Sequence, residues 1–203
     1  MDSIRKFQCQ SLVIASHNEG KIIEIRDLFT NLVGEILSAK ELGLVEPEET
    51  GKTFKENAEL KALLASRAAN LPAIADDSGL EVYALNGDPG IFSARWAGSP
   101  RDFNRAMEKV EKELAGSTDR RAAFVCALSL SWPDGHIETF EGRIEGEICW
   151  PPRGSKGFGY DPIFLASGMN QTFAEIEPQE KHAISHRAEA FRKMLSGCFS
   201  GNG

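Results

Sequence analysis

Apolar residues recur in two rhythms along this chain, and the changes between them lay out its elements. "SLVIAS" (11–16) is a short unbroken apolar run, the pattern of a strand covered on both faces. The polar loop "HNEG" follows, and in "KIIEIRDLFTNL" residues Ile25, Leu28, Phe29 and Leu32 recur at helical spacing. "TFKENAELKALLASRAAN" (53–70) predicts a second helix, opened by Thr53 with Glu56 three residues on, a capping-box pattern. "PAIAD" predicts a buried strand and "LEVYAL" another, with "NGDPG" as the turn after it. "RDFNRAMEKVEKELAG" (101–116) predicts a helix with Phe103, Met107, Val110 and Leu114 as its stripe and Gly116 as its stop. In "AAFVCALSLSW" the period falls to two, placing Phe124, Cys126, Leu128, Leu130 and Trp132 on one face. "PDG" then turns the chain into "HIETFEGRIEGEI", which makes a long hairpin. "DPIFLA" predicts a last strand. "SHRAEAFRKML" predicts a terminal helix with Ala188, Phe191 and Leu195 facing in. Helices alternate with strands and a hairpin interrupts them, so the class is α/β with a mixed sheet.

The bulk numbers narrow this picture. The chain has 203 residues, enough for one sizeable core as one domain or two lobes. It is 41% hydrophobic and 26% charged, an ordinary globular composition that argues against disorder. A formal net charge of -7 argues against a general nucleic-acid coat, whose binding rests on a basic surface, while leaving room for a local basic pocket. Cys9, Cys126, Cys149 and Cys198 are far apart and form no zinc-like spacing with the histidines. They read as reduced thiols of a cytoplasmic protein. "LVIA" near the N-terminus is too short for a signal core or a membrane span, and "SGNG" at the C-terminus reads as a frayed end.

Five stretches carry candidate chemistry. In "IADDSGLEV" (74–82) Asp76 and Asp77 sit side by side where the pattern predicts the end of a strand; a turn or a cation and proton-transfer site would explain them. "SHNEGK" (16–21) leads from a strand into a helix, whose N-terminus favours phosphate, although the P-loop pattern is missing. "PEETG" (47–51) adds carboxylates before the 53–70 helix, where Asn57 and Lys61 share a face. "GSKGFGYDP" (154–162) sets Lys156, Phe158, Tyr160 and Asp161 among three glycines, which suits stacking on a flat base. "KHAISHR" (181–187) opens the last helix with Ser185 as N-cap and puts His186 and Arg187 where positive charge opposes the helix dipole.

Taken in order, "ASHNEGK", "ETGKTFKENA", "IADDSGLEVYALNGDPGIFSARWAG", "GFGYDPIF" and "KHAISHR" resemble the inosine triphosphate pyrophosphatase family, from about Leu12 to Leu195. The resemblance implies a long mixed β-sheet flanked by helices, two lobes with a central cleft, and a homodimer. It implies Mg²⁺-dependent hydrolysis of the purine nucleoside triphosphates ITP, dITP and XTP to the monophosphate and pyrophosphate, cleansing the nucleotide pool, with no nucleic-acid or membrane partner. It further implies roles. Ser16, His17, Asn18, Glu19, Gly20 and Lys21 would cradle the triphosphate, with Lys61 also on the substrate. Glu49 and Asp77 would hold Mg²⁺, with Asp76 as a further ligand and Asp77 also the proton acceptor. Ser78 would touch the substrate. Phe158, Gly159, Tyr160 and Asp161 would form the base pocket, and Lys181, His186 and Arg187 would close over base and phosphates.

Two other classes compete. One is a house-cleaning pyrophosphatase for pyrimidine or methylated nucleotides, against which "SHR" argues as the purine-pocket motif. The other is a nucleotide-binding module without catalysis, which would require loss of Glu49, Asp76 and Asp77, all present here.

Overall fold

The first apolar run forms β1 (Ser11–Ile14), whose Leu12, Val13 and Ile14 are fully buried. The computed structural model describes residues 4–199, so the expected frayed end at 200–203 lies outside the described residues. α1 (Glu19–Phe29) starts at Asn18, whose side chain accepts the Lys21 amide hydrogen at 3.2 Å. It buries Ile22, Ile25 and Phe29, while Leu32 lies past its end and is exposed, so the stripe stops a turn earlier than predicted. β2 (Glu35–Ser38), which the sequence pattern did not announce, pairs in parallel with β1. α2 (Phe54–Ala69) is capped by Thr53, which accepts from the Glu56 amide at 3.1 Å. The Glu56 carboxylate turns to the Lys52 amide, so only half of the expected capping box forms.

The largest correction concerns "PAIAD" and "LEVYAL". They are not two strands around a turn. β3 (Ala73–Val82) runs unbroken through Asp76, Asp77, Ser78 and Gly79, and the chain then enters a 3-10 turn at Tyr83–Leu85. Strand propensity disfavours aspartate, but local partners offset the cost of burial here, as the site geometry shows.

α3 (Ser93–Trp96) is a single turn, and α4 (Phe103–Glu113) is capped by Asp102 and buries Ala106, Met107 and Val110. β4 (Arg121–Ser131) is buried at every residue after Arg121, so the predicted alternation gives way to a strand covered on both faces. Trp132 and His136 close the hairpin into β5 (Ile137–Ile148) by a backbone bond of 3.0 Å. β6 (Phe164–Ala166) runs antiparallel to β5 and passes so close that a Cβ on Gly146 would fall 2.3 Å from Leu165 O. α5 (Pro178–Ile184) and α6 (His186–Met194) follow. The sheet order is β2-β1-β3-β4-β5-β6, with parallel pairing of β1 to β2 and β3 and antiparallel pairing of β5 to β6: a mixed six-stranded sheet, as expected.

The described chain divides into two compact units. One comprises residues 4–77, 127–142 and 189–199; the other comprises Ser78–Cys126 and Arg143–Ala188. In the first, Val13, Ala15, Ala73 and Ala75 pack against Ala62 and Ala65 of α2, and Phe29 meets Phe191 edge-on. The second has its own core of Leu80, Val110, Phe124, Ile148, Phe164 and Phe173, with Phe124 stacked on Phe173.

Candidate active site

In the first unit, β3 brings Asp76 and Asp77 into the interior, where they are 2% and 6% exposed. Buried carboxylates need cations or donors, and two helices supply them. From α1, Lys21 Nζ lies 3.1 Å from Asp76 Oδ2. From α2, Asn57 donates its side-chain N–H to Asp77 Oδ2 at 3.1 Å. One turn on, Lys61 Nζ donates to Glu49 Oε1 at 2.6 Å and lies 3.7 Å from Asp77 Oδ1. Asn57 is fixed from the other side, since its Oδ1 accepts the Gly51 amide at 2.8 Å. That bond ties the acidic "PEETG" loop to α2 and keeps Glu49 near Lys61.

Glu49, Asp76 and Asp77 thus lie around Lys21 and Lys61. Burial pushes the Asp77 carboxyl above the ordinary carboxylate value, and Lys61, Lys21 and the Asn57 hydrogen bond only partly oppose it. Burial works against the Lys61 ammonium too, but Asp77, Asp76 and Glu49 outweigh it and hold Lys61 above the ordinary lysine value. A carboxylate raised in this way is a stronger base than a solvated one.

The donor set fits Mg²⁺. All of its oxygens are hard, and a cation, the Lys61 ammonium, already sits between Glu49 and Asp77. Among the described residues no group of three or more His, Cys, Asp or Glu could hold a metal alone.

The expected cradle at Ser16–Lys21 is partly self-satisfied. Ser16 Oγ accepts the Asn18 amide at 3.2 Å, and His17 Nε2 donates to Leu44 O at 2.9 Å. Glu19 pairs with Lys40 on the surface, and Gly20 begins α1. Only Lys21 of this loop reaches the acids.

The second unit gathers the rest. Asp161 Oδ2 accepts the Phe158 amide at 2.8 Å and the Lys181 ammonium at 2.5 Å. Lys181 Nζ also sits 4.6 Å from the Phe158 ring centroid. Gly157 has φ +74°, and a Cβ there would lie 2.1 Å from Asp161 Oδ2, so the loop can close around this carboxylate only with glycine at that position. His186 stacks on Phe124 at 5.0 Å, and Arg187 Nη2 donates to Ser78 Oγ at 3.3 Å. Ser185 caps α6 as predicted, its Oγ accepting the Ala188 amide at 3.1 Å. His186 and Arg187 are both buried.

Tyr160 departs from expectation. The density of glycines predicts exposed aromatics, and Phe158 is indeed 37% exposed. Tyr160 is buried, edge-on to Phe103, with its hydroxyl donating to Ser93 O at 2.8 Å. It braces the loop from beneath. Two polar residues at these sites lacked a role in the sequence reading, Asn57 and Ser93. Asn57 could have been found from its i, i+4 spacing to Lys61; Ser93 had no such signal.

Known proteins resemble this chain over nearly its whole length. The family model described as Ham1 family matches residues 12–197. A protein named dITP/XTP pyrophosphatase from Rhodospirillum centenum is 57% identical over 203 residues, covering 98% of this chain and 100% of its own. One of the same name from Zymomonas mobilis is 55% identical, covering 96% and 94%. The structure of a HAM1 protein from Coxiella burnetii superposes with a TM-score of 0.85 at 42% identity, covering 92% of this chain and 96% of that one.

Proposed function

The chain belongs to the Ham1 family, and on that premise we propose that it is a nucleoside triphosphate pyrophosphatase. It hydrolyses dITP, XTP and ITP to the monophosphate and pyrophosphate and so removes non-standard purine nucleotides from the pool. The observation that carries the reading is Asp77: a buried carboxylate whose pKa burial raises, between Asn57 and Lys61.

Each group of residues then has a task. Glu49 and Asp77 would hold Mg²⁺, with Asp76 as a further ligand; bound there, the ion would neutralise charge on the triphosphate. Lys61 and Lys21 exchange carboxylate partners for phosphate oxygens, and Ser16, Asn18 and the free N–H groups at the start of α1 add donors. Asp77 takes the proton of a water that attacks the α-phosphorus. The new bond is from water oxygen to phosphorus; the bond that breaks releases pyrophosphate. Positioning and charge neutralisation supply most of the acceleration, as in other phosphoryl chemistry.

At the base end, Phe158 offers a face for stacking. His186 and Arg187 read the 6-position. Arg has only donors, so it suits a 6-oxo purine and is left unpaired against the 6-amino group of adenine. Lys181 and Asp161 fix the loop that presents Phe158. A homodimer in the cytoplasm belongs to the same reading; among the described residues no helix is long and apolar enough to cross a membrane.

The test is steady-state hydrolysis of ITP, XTP, GTP and ATP by purified protein with and without Mg²⁺, with pyrophosphate distinguished from phosphate. The expected result is Mg²⁺-dependent pyrophosphate release, fast on ITP and XTP and slow on ATP. Preference for a pyrimidine or methylated nucleotide, or binding without turnover, would replace this reading.

A further inference from the structure

The segment "NGDPGIFSARWAG" has no part in the chemistry above, yet its serine is a structural junction. Ser93 is 7% exposed. Its Oγ accepts the Leu80 amide at 3.0 Å and donates to Gly90 O at 2.7 Å. Its own carbonyl accepts the Tyr160 hydroxyl at 2.8 Å. Leu80 lies two residues after Ser78 on β3, while Tyr160 lies two residues after Phe158 in the glycine-rich loop. One residue therefore links the strand that carries Ser78 to the loop that carries the stacking ring.

The loop has other ties, the Lys156 amide to Ala174 O at 2.9 Å and the Lys156 ammonium to Glu177 Oε1 at 2.6 Å among them, and the Tyr160 bond adds a tie to Ser93 and, through it, to β3. Gly154, Gly157 and Gly159 all have positive φ, at +84°, +74° and +69°. Glycines lose much conformational freedom on ordering, so a loop this rich in them stays put only if tethered. The Asp161 clasp orders it from within. Tyr160 is its bond to Ser93, and burial keeps the phenol protonated and able to donate. A serine suits the junction because its hydroxyl donates and accepts at once, which alanine cannot do.

We infer that Ser93 is a positioning residue for nucleobase binding: through Leu80 and Tyr160 it holds Phe158 in register with Ser78, and so sets affinity for the base without touching the phosphate chemistry. The inference rests on the reading of the 154–162 loop as the base site. Because strand, serine and tyrosine form a chain of links in series, breaking either link frees the loop from β3, and breaking both adds little; the Asp161 clasp and the Lys156 bonds remain.

The experiment measures competitive inhibition by two probes. IMP carries the base; inorganic tripolyphosphate carries only phosphates. Ser93→Ala, Tyr160→Phe, their double variant and Phe158→Ala are compared with wild type, with thermal melts to confirm folding. The inhibition constant for IMP is expected to rise about tenfold in each single variant, that for tripolyphosphate to stay within about twofold, and the double variant to match the weaker-binding single one. KM for ITP should rise while kcat changes by less than about twofold. A parallel rise for both probes, an unchanged IMP constant, or fully additive effects would overturn the inference. If Ser93→Ala does not fold, Tyr160→Phe, which keeps the ring, decides alone. Phe158→Ala separates the two levels. If it leaves IMP binding unchanged, the base-site reading has failed; if it weakens IMP binding while the Ser93 and Tyr160 variants do not, only this inference has.

Discussion

Asp77 and Asp161 are both buried carboxylates facing a buried lysine, one in each unit, and their geometries differ. Asp161 takes Lys181 at 2.5 Å and a backbone amide at 2.8 Å on one oxygen. Asp77 holds Lys61 at 3.7 Å and shares it with Glu49, which lies closer at 2.6 Å. A close partner makes a carboxylate part of the architecture. A more distant one, shared with Glu49, goes with a carboxylate whose pKa burial raises and whose base strength is available.

The sharpest way to break this comparison is to neutralise each acid in turn. Asp77→Asn should lower turnover of ITP by about 10²–10⁴-fold, because an amide accepts no proton at neutral pH. It should not lower the melting temperature. A folded-state pKa above the unfolded one means that ionised Asp77 costs stability, a cost that is present at neutral pH and disappears as pH falls through the raised pKa. Asp161→Asn should do the reverse to stability. It leaves Lys181 buried beside a neutral amide, a loss of about 3–5 kcal/mol visible in urea unfolding. If Asp77→Asn proves the less stable of the two variants, the contrast is wrong.

Smaller effects sharpen the division of labour. Arg187→Ala should lower kcat/KM for ITP by at least about tenfold and barely change the slow rate on ATP, narrowing the gap between them. An equal fall on both nucleotides would assign Arg187 to phosphate. Glu49→Gln should raise the Mg²⁺ concentration for half-maximal rate several-fold, since it removes one anionic ligand. An unchanged Mg²⁺ dependence would return "PEETG" to a solvated turn.

Much of this was legible in the sequence, for reasons that also explain the failures. α1, α2 and α4 announce themselves because each buries residues at helical spacing, and β1 and β4 because each is an apolar run covered on both faces. β2 does not: of its four residues only Ser38 is buried. α5 was missed for the same reason, Lys181 being its one buried residue. The break placed at Asp76–Gly79 follows from propensity alone, and the structure overrides it because Lys21, Asn57 and Lys61 converge from elements far away in sequence. Tyr160 looked exposed because its glycine neighbours suggest a free loop; its acceptor, Ser93, lies 67 residues away. Individual residues with chemistry were readable. Which of them meet, and how closely, was not.

Hydrolysis of ITP in heavy-oxygen water tests the central claim most directly, because the label marks the phosphorus that is attacked. With Asp77 activating water toward the α-phosphorus, mass spectrometry should find the label in IMP and none in the pyrophosphate. Label in pyrophosphate, or in orthophosphate released together with IDP, would contradict the account.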